Sequence, residues 1–299
     1  MNGTWLVTGS RGQLGRALTA RLRGAGHHCS AFSHEDLDVG SEDAVQAAFD
    51  ALDAPPTVVL NAAAFTHVDR CEEENERAWA VNAVGPGLLA RLCSERGARL
   101  VHVSTDYVFP GDAREPYTEE DPVGPASCYG RSKLEGEERV RAVSADFLIV
   151  RSSWVFGRGR NFPDTLLALA AERQGAVVKQ ALRVVDDQWG RPSYAEDLAV
   201  GILALLEADA RGLYHLANAG VASWWELARF CLDESGYGDL EIERIQTVDF
   251  DRPAPRPTWS VLDCEKAAAL GVEMRNWKDA VRAYLASRDA PRGPMESGR

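Results

Sequence analysis

The stretch Trp5-Leu6-Val7-Thr8-Gly9-Ser10-Arg11-Gly12-Gln13-Leu14-Gly15-Arg16-Ala17-Leu18-Thr19-Ala20-Arg21-Leu22 decides the fold. Residues 5–8 form a short apolar run suited to a strand, and residues 16–22 have helical periodicity. Between them stands Gly-x-x-Gly-x-x-Gly. A glycine loop between a strand and a helix is the dinucleotide fingerprint. The glycines permit a tight turn and close backbone approach. The helix N-terminus offers N–H groups and the positive end of its dipole to a pyrophosphate. Gly9, Arg11, Gly12, Gln13 and Leu14 are therefore the first cofactor-binding candidates.

The same alternation continues along the chain. His28-Cys29-Ser30-Ala31-Phe32 reads as a second strand. NAD-preferring folds often place an acid after it to bind the ribose 2′-hydroxyl. Here Ser33-His34 follows and the first acid is Glu35. Arg11 can reach a 2′-phosphate, so NADPH is the expected cofactor, with NADH an alternative. Ser33, Asp38 and Val39 are expected near the adenosine. Thr57-Val58-Val59-Leu60 suits a strand buried on both faces. The small residues of Asn61-Ala62-Ala63-Ala64 then leave room for a ring or ribose at the strand's carboxyl end. A helix is expected over 72–96, with Asn82 in its middle, where asparagine is locally unfavourable unless it bonds something specific. Leu100-Val101-His102-Val103 and Phe147-Leu148-Ile149-Val150 complete the strand pattern. Repeats of this kind give an α/β fold with a doubly wound parallel (Rossmann) sheet.

Between those last two strands lies the chemistry. Ser104-Thr105-Asp106-Tyr107-Val108-Phe109 follows one strand, and Tyr129-Gly130-Arg131-Ser132-Lys133 comes after a polar loop. On a helix Tyr129 and Lys133 share a face. An ammonium near a phenol favours the phenolate and is expected to lower the tyrosine pKa. That suits the phenol to exchange a proton with a carbonyl or alcohol. Thr105, past its strand, can present a hydroxyl to the same oxygen.

The last third is less regular. Helices are expected over 161–173, 195–207, 224–234 (with Ser223 as N-cap) and 277–287, and a strand over 212–217. Residues 184–192 read as an irregular polar-aromatic loop. The run Arg252-Pro253-Ala254-Pro255-Arg256-Pro257 forbids helix, and Arg256 there is a candidate for a second pyrophosphate. The expected organisation is a nucleotide-binding domain over 1–156, rejoined near 194–219. A smaller C-terminal α/β substrate-binding domain would be built from 157–193 and 220–288, with a disordered tail over 289–299.

Composition narrows the function classes. Of 299 residues 45% are hydrophobic and 26% charged, an ordinary globular balance. A net charge of −12 argues against a nucleic-acid partner. No apolar run approaches the ~20 residues that span a bilayer. The six cysteines show no Cys-x-x-Cys spacing and no signal peptide is evident, so a cytoplasmic protein with reduced thiols is expected. Cys128 beside Tyr129 reads as packing rather than as a nucleophile.

Taken together, Gly9-x-x-Gly12-x-x-Gly15, Asn61-Ala-Ala-Ala64, Ser104-Thr-Asp-Tyr-Val-Phe109, Tyr129-x-x-x-Lys133 and Arg151-Ser-Ser-Trp154 resemble an extended short-chain dehydrogenase/reductase. Val185-x-Asp187-Gln188-x-Gly190-x-Pro192 and Arg256-Pro257-x-x-Ser260-x-Leu262 narrow the resemblance to the dTDP-4-dehydrorhamnose reductase family, over about residues 1–288. The resemblance implies Thr105, Tyr129 and Lys133 as the catalytic set and Asn82 as a supporting asparagine. Ser104, Asn61 and Ala62–Ala64 would lie along the cofactor. Asp106 and Trp154 would meet the sugar, and Gln188 and Arg256 the nucleotide diphosphate. The implied substrate is a dTDP-4-keto-6-deoxy sugar, the implied assembly a monomer or homodimer. Some members hold Mg2+ at a dimer contact through a glutamate where this chain has Ala17, so no metal is expected. The same motifs fit another nucleotide-sugar 4-ketoreductase, of a dihydrostreptose or antibiotic-sugar pathway, or a non-catalytic nucleotide-binding regulatory subunit.

Overall fold

The computed structural model describes residues 3–143, 146–174 and 181–289. At its centre lie six strands: β1 (Thr4–Thr8), β2 (His28–Phe32), β3 (Val58–Asn61), β4 (Arg99–Thr105), β5 (Phe147–Ser152) and β6 (Gly212–His215). They run in the order β6-β5-β4-β3-β1-β2 with every pairing parallel, the doubly wound sheet expected from the sequence. The strands are apolar along their length because both faces are covered. Trp5, Val7, Leu60, Val101 and Val150 pack on helices Gln13–Gly24 and Ala195–Glu207. Leu6, Val59, Leu100 and Ile149 pack on Glu42–Asp50 and Gly85–Arg96. Winding reverses between β1 and β3, which opens a crevice at the strands' carboxyl ends.

The single helix expected over 72–96 is instead four pieces: Val68–Glu73, Asn75–Trp79, a π-helical turn Ala80–Val84, and Gly85–Arg96. Pro86 has no N–H to direct at the Asn82 carbonyl, so the ordinary ladder fails there. The widened turn leaves Asn82 pointing inward.

A second apolar core lies beyond the sheet. It joins Phe156, Leu166, Leu182, Leu227, Trp277 and Tyr284, with helices Phe162–Gln174, Trp224–Glu234 and Trp277–Asp289 supplying most of it. Ser223 caps its helix as expected, accepting from Glu226 N–H while the Glu226 carboxylate accepts from Ser223 N–H. The loop expected over 184–192 contains short strands: Leu182–Val185 pairs with Ile242–Ile245, and Trp189–Gly190 with Ala222–Ser223. Their partners are more than 30 positions away, which no local pattern records. The closing helix runs two residues past its expected end, to Asp289. Residues 290–299 of the expected tail lie outside the described residues. Among the described residues no helix is long and apolar enough to cross a membrane.

Candidate active site

A cavity of about 540 Å³ opens where β1, β3, β4 and β5 end, a size suited to a small-molecule ligand. The glycine loop forms one wall through Arg11, Gly12, Gln13 and Leu14. Gly9 lies beneath, at φ +67°, where an added methyl would stand 2.7 Å from the Ala62 backbone. Only glycine fits both demands. No side chain caps the helix that starts at Gln13, so its N-terminus faces the cavity as an anion-binding end. Ala62 and Ala64 leave the β3 side open. Among the described residues, Ser104 Oγ and Ser152 Oγ are buried without a hydrogen-bond partner, and they line the same cavity. Orphaned polar atoms beside a glycine cradle fit a polar dinucleotide.

Helix Cys128–Val143 brings in the reactive pair. Its first turn is fixed by side chains: Cys128 N–H donates to Glu72 at 2.7 Å and Gly130 N–H to Ser127 Oγ at 3.1 Å. Gly130 lets the helix press onto the loop after β4, since a methyl there would lie 2.2 Å from the Tyr107 carbonyl oxygen. Tyr129 and Lys133 both reach the cavity, and the Tyr129 ring meets Tyr107 edge-on at 5.6 Å. Lys133 Nζ donates to the Val103 carbonyl at 2.7 Å and lies 3.3 Å from His102 Nε2. Burial lowers its pKa to about 8, opposed by Glu137.

The electrostatics of Tyr129 differ from the sequence expectation. The packed surroundings push the phenol up from its ordinary value, a bond with Thr105 opposes this, and Asp106 adds to the rise. Lys133 directs its nitrogen at Val103 and His102. Thr105, the last residue of β4, donates to Asp106 Oδ1 at 2.9 Å and accepts the Tyr107 N–H at 3.2 Å. Asp106 is 2% exposed, and burial raises its carboxyl pKa to about 6.

Several sequence candidates lie off the cavity wall. Asn61 and Ala63 sit one layer below, with Asn61 Oδ1 accepting from Ala63 N–H at 3.2 Å. Asn82 is fully buried and braces rather than lines. It exchanges bonds with both backbone groups of Phe65 and donates to Ser132 Oγ. Ser33 donates its hydroxyl to Asp36 at 2.6 Å. Asp38 accepts from Gly40 N–H and Val39 is core. Gln188 donates to Thr247. Arg256 binds Asp69 at 2.8 Å and the Ala254 carbonyl. Its charge opposes the rise that burial gives the Tyr107 phenol, and it is not part of the cavity wall. Arg11 does line the cavity, paired with Glu35. Cys128 is buried, and burial pushes its thiol up, which suits packing rather than attack.

Trp154, expected beside the sugar, does line the wall, whereas Trp224, Arg158 and Arg160 beside it were not anticipated. Trp154 adopts a left-handed backbone at φ +47° and stacks on Trp224 at 3.8 Å, nearly parallel. Both indoles line the cavity, as do Arg158 and Arg160. Gln13 donates to the Arg160 carbonyl at 3.1 Å, tying the glycine loop to this segment. The sequence hint was there in Gly157-Arg158-Gly159-Arg160 directly after Trp154-Val155-Phe156; Trp224 gave none.

Residues 3–289 match the family described as the RmlD substrate binding domain. The chain belongs to the dTDP-4-dehydrorhamnose reductase (RmlD) family. Among RmlD-like relatives, the dTDP-4-dehydrorhamnose reductase of Mycolicibacterium smegmatis is 40% identical, over 94% of this chain and 85% of that protein. The spore coat polysaccharide biosynthesis protein SpsK of Bacillus subtilis is also 40% identical, over 95% and 98%. The crystal structure of the Bacillus anthracis dTDP-4-dehydrorhamnose reductase in complex with NADP superimposes with a TM-score of 0.87 at 32% identity, covering 96% of this chain and 100% of that one. The glycine loop, Thr105, Tyr129 and Lys133 of this RmlD-family member thus stand in a fold already solved with a dinucleotide.

Proposed function

We infer that this chain reduces the 4-keto group of a dTDP-4-keto-6-deoxyhexose, as a dTDP-4-dehydrorhamnose reductase, using NADPH and accepting NADH. The observation that carries this reading is the convergence of Thr105, Tyr129 and Lys133 on one cavity beside an uncapped helix N-terminus. The loop 9–15 and that N-terminus would hold the pyrophosphate, and Ala62, Ala64, Ser104 and Lys133 the rest of the dinucleotide. The reduced nicotinamide, when bound, supplies the hydride. Tyr129 gives its phenol proton to the ketone oxygen, Thr105 orients that oxygen, and Lys133 supports the return of a proton to the phenolate left behind. The raised Tyr129 pKa keeps the proton in place until it is needed. Asp106 and the Trp154–Trp224 pair form the sugar side of the wall. Gln188 and Arg256 serve the nucleotide by fixing the 247–256 segment around it.

We assign residues 1–156 with 194–219 to cofactor binding, and 157–193 with 220–288 to the sugar nucleotide. The six free thiols support a cytoplasmic enzyme, working as a monomer or a homodimer. Ala17 is 2% exposed within the core, so that position offers no carboxylate for a magnesium bridge.

The 40% identity to a probable dTDP-4,6-dihydroxy-2-methyloxan-3-one 4-ketoreductase of Streptomyces antibioticus keeps a neighbouring nucleotide-sugar 4-ketoreductase as the second reading. Mixing the protein with NADPH and each of a set of dTDP-4-keto-6-deoxy sugars, and following 340 nm absorbance, separates the two. Fastest turnover with dTDP-4-dehydrorhamnose supports the first reading; preference for another sugar supports the second. No oxidation with any of them means a binding protein. Arg11→Ala is expected to lower kcat/KM for NADPH several-fold and leave NADH unchanged, because only the former has a 2′-phosphate for Arg11 to meet.

A further inference from the structure

Thr8, Asn61, His102 and Lys133 form a continuous buried polar chain from β1 to the cavity floor, and its polarity can be followed bond by bond. Asn61 Oδ1 accepts from Ala63 N–H at 3.2 Å and from the Thr8 hydroxyl at 2.7 Å. A backbone N–H only donates, so the amide is fixed with its oxygen on that side. Asn61 Nδ2 then faces His102 Nδ1 at 3.0 Å. An amide nitrogen also only donates, so Nδ1 is the acceptor and a neutral ring carries its hydrogen on Nε2. His102 is fully buried, and burial alone holds its pKa below the ordinary value and disfavours the imidazolium. Nε2–H therefore points at Lys133 Nζ, 3.3 Å away. An ammonium has only hydrogens to meet it. An amine has a lone pair, and its own N–H still reaches the Val103 carbonyl.

We propose that His102 is a positioning residue for Lys133: locked by Asn61 in the Nε2–H tautomer, it donates to Nζ and favours the uncharged amine. Lys133 is then a group that gains and loses a proton in the working pH range rather than a fixed cation. Its pKa of about 8 agrees. The other charged groups around it pull the opposite way or are already engaged. Glu137, one turn further on the same helix, favours the ammonium, but both its oxygens are held by Arg151 of β5 and one also by Arg141. Tyr129, one turn back, is neutral. The catalytic consequence rests on the Tyr129–Lys133 reading above; the protonation states themselves do not.

The test reads the two side chains directly in the purified full chain. With 15N-labelled histidine, long-range 1H–15N correlations report the tautomer of each of the six rings, and His102→Gln identifies the signal. A neutral Nε2–H ring across pH 5.5–9 is expected. An Nδ1–H ring or an imidazolium overturns the proposal. With 15N-labelled lysine, Lys133→Met identifies the Lys133 signal. It should titrate near pH 8 in the parent and about one unit higher in His102→Phe; an unchanged midpoint also overturns it. Turnover adds a discriminating readout, since the alkaline limb of kcat/KM should move up with that midpoint, whereas a merely structural loss would lower the rate and leave the limb in place. Should His102→Phe not fold, the tautomer of the parent decides alone. A silent reductase assay beside an intact Nε2–H signal would count against the substrate reading and leave this one standing.

Discussion

Thr105 directs its hydroxyl hydrogen at Asp106, not at the cavity. Its hydrogen becomes available to a ketone only if Asp106 is protonated or the hydroxyl turns. Asp106 therefore ties stability to pH as well as touching the chemistry. Its folded pKa of about 6 lies above the ordinary carboxylate value of 3.8. The folded state holds the proton more tightly than the unfolded one, so the favourable contribution is complete below pH ~4 and is lost as pH rises to ~6. Above that the buried charge costs roughly 2–3 kcal/mol. Asp106→Asn should accordingly be more stable than the parent at pH 7.5, with the difference in Tm vanishing by pH 4; a constant difference across that range would refute the assignment. Tyr129→Phe should lose at least about two decades of kcat while NADPH binding, followed by fluorescence, stays within a few-fold. At this scale the sequence was informative where chemistry is local. Tyr129 and Lys133 are a turn apart on one helix, and Thr105 ends a strand. It was blind to His102, which reads as one more strand residue until Asn61 and Lys133 arrive from distant segments.

Among the elements, helix Cys128–Val143 carries the site and is held by an ion pair in the interior. Arg151 of β5 grips Glu137 with two bonds, at 2.9 and 2.7 Å, and both residues are buried. The Arg151 guanidinium also lies over the Phe109 ring at 5.0 Å. Removing one partner strands a charge, so Glu137→Ala should cost about 3–5 kcal/mol in urea unfolding. It should lower activity through a displaced Tyr129 even where the fold survives. Strands and amphipathic helices of the sheet were legible because their periods are short. The break at Asn82 was half legible: an asparagine in mid-helix signalled a specific bond, but the π-turn around it depends on Pro86 and on packing against Gly136. The strand pairs of the second core and the Trp154–Trp224 stack were not legible. Residues 154 and 224 meet only after two helices and a sheet strand have folded between them, and the left-handed Trp154 is tolerated because Gly190 has no side chain to block its indole.

Across the whole molecule, charge and site oppose each other. The chain carries −12 net, yet Arg11, Lys133, Arg158 and Arg160 all face the cavity. A doubly anionic sugar nucleotide meets repulsion at a distance and attraction at the mouth. Salt screens the near field, the Debye length falling from ~14 Å at about 0.05 M to ~4 Å at about 0.5 M. Raising ionic strength from about 0.05 M to 0.5 M should therefore reduce kcat/KM by several-fold and leave kcat nearly constant; an equal fall in both would rule out steering.

The sheet's last strand has a consequence for how the protein is made. β6 covers the outer edge of β5, but Gly212 leaves the ribosome sixty positions after Ser152. Throughout that interval a nascent chain presents Leu148, Ile149 and Val150 with unpaired backbone groups, an open template for a neighbouring strand. Any shortened gene product that stops before residue 212 keeps that edge for good. Such fragments should collect in inclusion bodies, whereas cuts placed after Asp289 should leave yield untouched.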